Sequence, residues 1–346
     1  MAGRLDAATS DDAAAGRAEP VVRHDDRVRI AVVGLGLIGG SVARRLAPDH
    51  DLRVWDNDPA TRKQAAQQGL TVAEDVTGTD VVVVATPMDV LPAVLRGLST
   101  ADGPIVTDVG SVKAPVLAAA RAAGLADRYV GGHPMTGVER SGFGASDPAL
   151  LDDAVWVLGL EDDTDLGRWL TVAGLVTAAG CRVVPTTAVL HDEAQARISG
   201  LPHLLASALA VAGAQGGPLA GTLAAGSFRD GTRVAGTRAE FVAALCDGNG
   251  EALARVLDAT LADLTVARDA LAAGRTVLPL AVAGNEASRT WTDPPPAAAV
   301  TLDRAAPDLR ERLLELGAAG GTLDSVTERE VRGRVSRAAG QGTLPL

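Results

Sequence analysis

The sequence predicts an α/β fold, with an N-terminal doubly wound parallel sheet followed by an all-helical domain. Three observations predict it. Short apolar runs alternate with helical patterns up to about residue 185, the rhythm of a parallel sheet covered on both faces. The first run ends in a glycine-rich turn, Gly34-Leu-Gly36-Leu-Ile-Gly39. From residue 187 to 273 the apolar residues follow helical spacing, with no convincing strand.

Residues 1–27 are rich in Ala, Asp and Arg and lack an apolar core segment. They read as a disordered tail, not a signal peptide, and the protein is expected in the cytoplasm. Residues 28–185 read as a dinucleotide-binding domain. Arg29 to Val33 is a buried strand that runs into the glycine turn and then a helix to about Ala47, stopped by Pro48. This is a Rossmann-type fingerprint. Gly34 allows the tight turn, Gly36 admits a pyrophosphate close to the backbone, and Gly39 lets helix and strand pack closely. The helix start at Leu37 and Ile38 offers free N–H groups to phosphate. Leu52 to Trp55 is the next strand. It ends at Asp56, 22 positions after Gly34, where an acid binds the ribose hydroxyls of NAD and repels the 2′-phosphate of NADP. Asp58-Pro59 caps a second helix, ended by Gly69. Asp80 to Ala85 is a continuous apolar strand, ended by Thr86-Pro87 at the cofactor edge. Pro104 to Thr107 is a strand, followed by Asp108-Val-Gly-Ser-Val-Lys113 and a helix to Ala123. Tyr129-Val130, Ala154 to Leu158 and Cys181 to Val184 complete the sheet, with a helix over Thr164 to Ala179.

Residues 186–275 read as a helical substrate and dimerisation domain, with helices over Thr187 to Ala214, Gly217 to Gly226, Arg238 to Cys246 and Glu251 to Ala273. The stretch from His203 to Ala214 is apolar nearly all round. Such a helix needs more cover than one small layer gives, which points to a homodimer core. Residues 276–346 read as a linker around Trp291-Thr-Asp-Pro-Pro-Pro296 and a small appendage of unassigned role. In that appendage a strand is expected at Ala298 to Leu302, with helices over Pro307 to Leu316 and Thr327 to Arg337.

Composition narrows the function. Acids outnumber bases by 43 to 32, for a net charge of -11. This argues against nucleic acid, whose phosphates need clustered Lys and Arg. No apolar run reaches the ~18 residues of a membrane span. Aromatic residues make up only 2% of the chain, so the core is built from Ala, Val and Leu. Cys181 and Cys246 lie in apolar stretches and read as buried small hydrophobes, and no metal-ligand cluster is expected.

In an open parallel sheet the ligand lies beyond the carboxyl ends of the strands. Polar groups converge there: Asp56, Thr86-Pro87, Asp108 to Lys113 and His133 to Glu139. His133 follows two glycines and precedes a proline; an imidazole there can take a proton from a substrate hydroxyl near neutral pH. Ser111 lies at a helix start, where it can cap the helix and face a ligand. Ser199 and His203 are four apart and share a helix face. Pro202 between them kinks the helix and frees a carbonyl. From spacing alone, Arg233 serves equally as a carboxylate clamp or as a salt-bridge partner of Asp230 or Glu240.

The segments 34-GLGLIGGS-41, 82-VVVATP-87, 108-DVGSVK-113, 132-GHPMTGVERSG-142, 191-HDEAQARISGLPH-203 and 226-GSFRDGTRVA-235 together resemble the prephenate dehydrogenase family, which includes arogenate and cyclohexadienyl dehydrogenases. The resemblance implies NAD-dependent oxidative decarboxylation of a cyclohexadienol acid on the route to tyrosine. It implies that His133 draws the proton from the ring hydroxyl and that Arg233 binds substrate carboxylate. Ser111, Ser199 and His203 then line the pocket, and Glu139 stands near its mouth. Prephenate and arogenate both remain open as substrates. Related imine and β-hydroxyacid reductases use a lysine in the second domain, and residues 186–275 contain none. A nucleotide-sensing protein without turnover is the alternative of another class.

Overall fold

The computed structural model describes residues 27–98, 103–137, 140–292 and 295–336. The expected tail, but for Arg27, and the candidate Glu139 lie outside the described residues.

The first half of the chain alternates strand and helix: β1 (Arg29–Val33), α1 (Leu37–Leu46), β2 (Asp51–Trp55), α2 (Pro59–Gln67), β3 (Thr71–Val72), β4 (Val81–Val84), α3 (Leu91–Gly97), β5 (Ile105–Asp108), α4 (Ala114–Ala122) and β6 (Tyr129–Val130). The six strands pair in parallel in the order β3-β2-β1-β4-β5-β6. Strand periodicity explains the two layers that cover this sheet. Ile30 and Val32 face one core, with Trp156 and Trp169; Ala31 and Val33 face the other, with Leu91, Leu95 and Leu125. The order reverses between β1 and β4, which puts the crevice of the doubly wound fold between the loops that follow them.

The expected sheet is smaller than the strand count suggested. After β6 the chain turns at Gly131 and starts a second sheet. That sheet begins with β7 (Gly132–Pro134), β8 (Val155–Gly159) and β9 (Arg182–Thr186), and α5 (Leu166–Ala178) connects the last two. Strand β7 pairs antiparallel with β8, and β8 pairs parallel with β9. An apolar run announces burial on both faces, and leaves open which strand it pairs with.

The helical region follows: α6 (Ala188–Gln195), a π-turn over Ala196–Gly200, α7 (Leu201–Gln215), α8 (Gly217–Leu223), α9 (Gly226–Thr232), α10 (Ala239–Gly248), α11 (Gly250–Ala272) and α12 (Leu278–Thr292). From Ala188 to Gln215 the helix is continuous over 28 residues and, against the expectation from the sequence, is by length and composition alone long and apolar enough to cross a membrane. Its first half packs on α11 through Gly200, where an added Cβ would stand 3.0 Å from Leu253. Helix α12 replaces the expected linker. Pro279 lies in its first turn, where a missing N–H does no harm.

The chain then returns to the second sheet with β10 (Ala297–Asp303), α13 (Leu309–Ala318), β11 (Thr322–Val326) and β12 (Glu330–Ser336). The complete order is β10-β12-β11-β9-β8-β7. The helix expected over Thr327 to Arg337 is therefore strand β12, with Val331, Gly333 and Val335 buried and their neighbours outward. That period of two identifies a strand, and pairing with β10 and β11 decides it. Helix α13 docks on β9 so closely that a Cβ on Gly317 would lie 1.7 Å from the Pro185 carbonyl oxygen. Both cysteines are free thiols; burial pushes Cys181 up to about 12, in keeping with an inert core position.

Candidate active site

The glycine turn joins β1 to α1 as its spacing requires. Gly34 has φ +96°, and a Cβ there would meet the Ala85 carbonyl oxygen at 2.6 Å. On Gly39 a Cβ would lie 2.0 Å from the Gly34 carbonyl oxygen. Around Gly36 there is open space, a cradle that a side chain would invade. Helix α1 starts there with no side-chain cap and no acid in its first turn, so its leading N–H groups face that space. The Asp56 carboxylate leans on the same turn. It accepts the Leu35 N–H at 2.7 Å and the Asp58 N–H at 2.9 Å. Across the crevice, Thr86 Oγ1 is buried and has no hydrogen-bond partner among the described residues. A cradle, an open helix end, an acid at the tip of β2 and an orphaned hydroxyl fit a dinucleotide. Arg62 stacks over Trp55 at 6.0 Å and donates to the Asp56 backbone carbonyl.

A second cluster forms where β5, β6 and β7 end. Asp108 is fully buried. Its carboxylate accepts from Gly110 N–H (2.8 Å), Tyr129 OH (2.7 Å), Gly132 N–H (3.0 Å) and the Lys113 ammonium. Lys113 Nζ also donates to the Gly132 carbonyl at 2.6 Å. Burial lowers the Lys113 pKa against the pull of Asp108, and burial beside that carboxylate pushes the Tyr129 phenol well above its ordinary value. Gly132 is required by close approach, since a Cβ would stand 2.4 Å from the Asp108 carbonyl oxygen. This network sets the strand that carries His133.

His133 projects from β7 to the start of α6. Its Nδ1 lies 2.9 Å from His191 Nε2, and His191 Nδ1 lies 2.7 Å from Asp192 Oδ1. Asp192 in turn accepts the backbone N–H of Lys113 at 2.7 Å and of Ala114 at 2.8 Å. Asn249 Nδ2 donates to the Asp192 carbonyl at 2.7 Å, tying α6 to the corner before α11. Burial, the Lys113 charge and His191 hold the His133 imidazole well below its usual pKa. The ring is thereby kept neutral at pH 7, with a lone pair free to accept a proton.

Ser111 does not cap α4. That helix begins at Ala114 with no side-chain cap of its own, and the Asp192 carboxylate supplies the acceptor from the helical region. A carboxylate is the stronger cap because it also complements the helix dipole. Ser111 stays half-buried in the loop between Asp108 and Lys113.

Ser199 and His203 meet as their spacing predicts. His203 Nδ1 lies 2.8 Å from the Ser199 carbonyl oxygen, which accepts. Pro202 offers no N–H, and the helix passes this point through the π-turn. Positions His191, Gln195, Ser199 and His203 follow at intervals of four along this helix. Gln195 is buried, and its Nε2 reaches Met135 Sδ at 3.2 Å. Arg233 opens the turn after α9. It is exposed and, among the described residues, has no ion-pair partner; Glu240 faces Arg238 instead, at 4.0 Å. The turn is positioned by Phe228 and Gly231. A Cβ on Gly213 would lie 2.4 Å from the Phe228 ring, and one on Gly231 would lie 2.8 Å from Leu209.

Sequence reasoning placed the Asp108 to Lys113 stretch at the cleft without a separate role for Asp108 or Lys113, and assigned none to Tyr129, His191, Asp192 or Asn249. The signal for two of them lay in an acid and a lysine closing an apolar strand, and for two more in the His-Asp pair that opens a helix.

The chain resembles known proteins in sequence and in fold. Residues 40–185 match the family profile described as "Prephenate dehydrogenase, nucleotide-binding domain", and residues 187–277 match "Prephenate dehydrogenase, dimerization domain". The chain is 30% identical to a prephenate dehydrogenase of Lactococcus lactis over 60% of its own length and 61% of that protein's. It thus spans about three fifths of the length of that curated relative. It is 31% identical to the cyclohexadienyl dehydrogenase of Zymomonas mobilis, over 70% of this chain and 88% of that one. A solved structure of a prephenate dehydrogenase candidate from Corynebacterium glutamicum superposes with a TM-score of 0.78 at 36% identity. It covers 85% of this chain and 97% of that one. On the strength of both profiles and of the Zymomonas relative, the chain belongs to the prephenate dehydrogenase family.

Proposed function

We propose that the protein is an NAD-dependent prephenate dehydrogenase of tyrosine biosynthesis. The observation that carries this reading is His133, an imidazole with a depressed pKa that contacts His191 and follows Gly132, which the buried Asp108–Lys113 network holds. The reaction needs a base at the ring hydroxyl, a carboxylate clamp and a hydride acceptor, and little else, because aromatisation drives it. Bound NAD+ supplies the hydride acceptor. Gly34, Gly36, Leu37, Ile38 and Gly39 would hold its pyrophosphate, Asp56 its ribose, and Thr86 and Pro87 the far wall. His133 takes the hydroxyl proton as the ring carbon gives up hydride. The ring carboxylate leaves as CO2 and its bonding electrons complete the aromatic ring, whose oxygen takes the proton back. Arg233 binds substrate carboxylate, and Ser111, Ser199 and His203 line the pocket. Glu139 is carried in this reading by its place in the sequence alone.

The working unit we propose is a homodimer through residues 186–275. Leu209, Val211, Leu219, Leu223, Leu264 and Val266 are between 42% and 70% exposed in one chain. Apolar surface of that extent on neighbouring helices calls for a partner copy.

The test is formation of reduced nicotinamide, followed by its absorbance, with prephenate and with arogenate in parallel. Turnover of prephenate supports the proposal. Turnover of arogenate alone assigns the sister activity, toward which the name of the Zymomonas relative also points. Nucleotide binding with no turnover of either leaves a sensing protein.

A further inference from the structure

Each member of the chain His133–His191–Asp192 constrains the next. A carboxylate oxygen has only lone pairs to offer, so the proton between Asp192 Oδ1 and His191 Nδ1, 2.7 Å apart, belongs to the imidazole. Asp192 keeps the acceptor role because its two oxygens also take the N–H groups of Lys113 and Ala114 at the start of α4. When His191 carries a single ring proton, Asp192 holds it at Nδ1, and Nε2 is bare. The atom 2.9 Å away is His133 Nδ1, which must then carry the proton. One nitrogen of His133 remains, Nε2, and it is left as the free acceptor. His191 and Asp192 are 2% and 6% exposed, so water does not scramble this order. The other charged groups nearby are Lys113, whose ammonium is engaged by Asp108 and the Gly132 carbonyl, and Asp108 itself.

We infer that His191 and Asp192 are positioning residues that lock His133 in the Nδ1–H tautomer, so that Nε2 is the atom presented to the substrate hydroxyl. The inference rests on the reading of His133 as the base. It adds a specific consequence: the base is completed by α6 and exists in working form only while α6 is seated on α4. In this arrangement the proton from the substrate hydroxyl goes to His133 Nε2 and returns from it. The Nδ1 proton stays in place, and its bond to His191 steadies the cation in between.

The experiment uses the full chain with 15N-labelled histidine, reading which ring nitrogen of His133 carries the proton, alongside kcat, KM and nucleotide binding. His191→Leu removes the acceptor. The expected result is loss of the fixed Nδ1–H signature and a fall in kcat of about 10²–10⁴-fold, with KM and nucleotide binding little changed. His191→Gln returns an acceptor amide oxygen near the Nε2 position, and is expected to restore the signature and most of the rate. Asp192→Asn is the second variant, in case the leucine chain does not fold. Its single amide oxygen cannot serve His191, Lys113 and Ala114 as the two carboxylate oxygens do, so the His191 proton is no longer held at Nδ1 and the fixed His133 Nδ1–H signature is expected to be lost. An unchanged Nδ1–H signature in His191→Leu or Asp192→Asn overturns the inference, whatever the rate. His133→Asn separates the two claims. Full turnover in that variant refutes the base, while the tautomer measurement still judges the relay.

Discussion

Asp192 and Ala114 join the two halves of the molecule: a carboxylate on α6 accepts the first N–H of α4, at 2.8 Å. The same carboxylate takes the Lys113 N–H at 2.7 Å. Asp192→Ala therefore leaves two buried donors unpaired and an uncapped helix start. Stability is expected to fall by about 1–3 kcal/mol. Urea unfolding of parent and variant measures it, and an unchanged midpoint would contradict the cap.

Asp108 and Lys113 make a buried ion pair, each 2% exposed or less. Such a pair adds little by itself, yet breaking one side strands the other charge. Lys113→Met is expected to cost about 3–5 kcal/mol of stability. The double variant with Asp108→Asn should lose less than the sum of the two singles. Additive losses in denaturant unfolding would show that the two groups are not coupled.

The depressed pKa of His133 sets a pH window. The base works while neutral, so the acid limb of kcat/KM is expected to fall below the ordinary histidine value of 6.5. The same shift acts on stability. The unfolded chain takes up a proton as pH drops past 6.5 and the folded chain does not. Stability therefore declines as pH falls from 6.5 toward the folded value, and the loss then levels off. A rate profile with its acid limb above 6.5 would contradict the burial of this imidazole.

Asp56 places negative charge against the glycine turn. Substituting Asp56→Ser removes the repulsion toward a 2′-phosphate while keeping a small polar group. The ratio of kcat/KM for NADP over NAD is expected to rise about tenfold or more. Equal efficiency of the parent enzyme with both cofactors would remove the basis for this role.

Arg233 stands exposed and without an ion-pair partner among the described residues. Arg233→Ala is expected to raise the substrate KM by about 10–100-fold, the value of a charge-assisted hydrogen bond. Arg233→Lys should recover only part, because an ammonium cannot make the bidentate fork. Titration calorimetry with the nucleotide alone should see no change in either variant.

Much of the site was legible because its signals are local. A glycine that needs φ +96°, a glycine that would collide with a carbonyl at 2.0 Å, and an acid closing a strand are written into a few consecutive positions. Arg233 was legible as a cation and ambiguous in use, since spacing offered Asp230 and Glu240 as partners. In the fold Arg233 is exposed and pairs with neither of them among the described residues, and Glu240 faces Arg238. The histidine relay was not legible. His133 and His191 are 58 positions apart, and no periodicity relates them.

By itself the sequence determined the parallel sheet, the glycine turn, the acid at the tip of β2 and the helical second region, because each follows from hydrophobic period and backbone sterics within a short stretch. Tertiary structure alone decided that β8 and β9 leave the first sheet and that β10, β11 and β12 complete a second one. It alone decided that Asp192, not Ser111, caps α4, and which nitrogen of His133 faces His191. The physical reason is common to all of these. Burial and period are properties of one segment, whereas a strand's neighbour, a helix's cap and an imidazole's tautomer are each set by a hydrogen-bond partner that the chain brings from elsewhere.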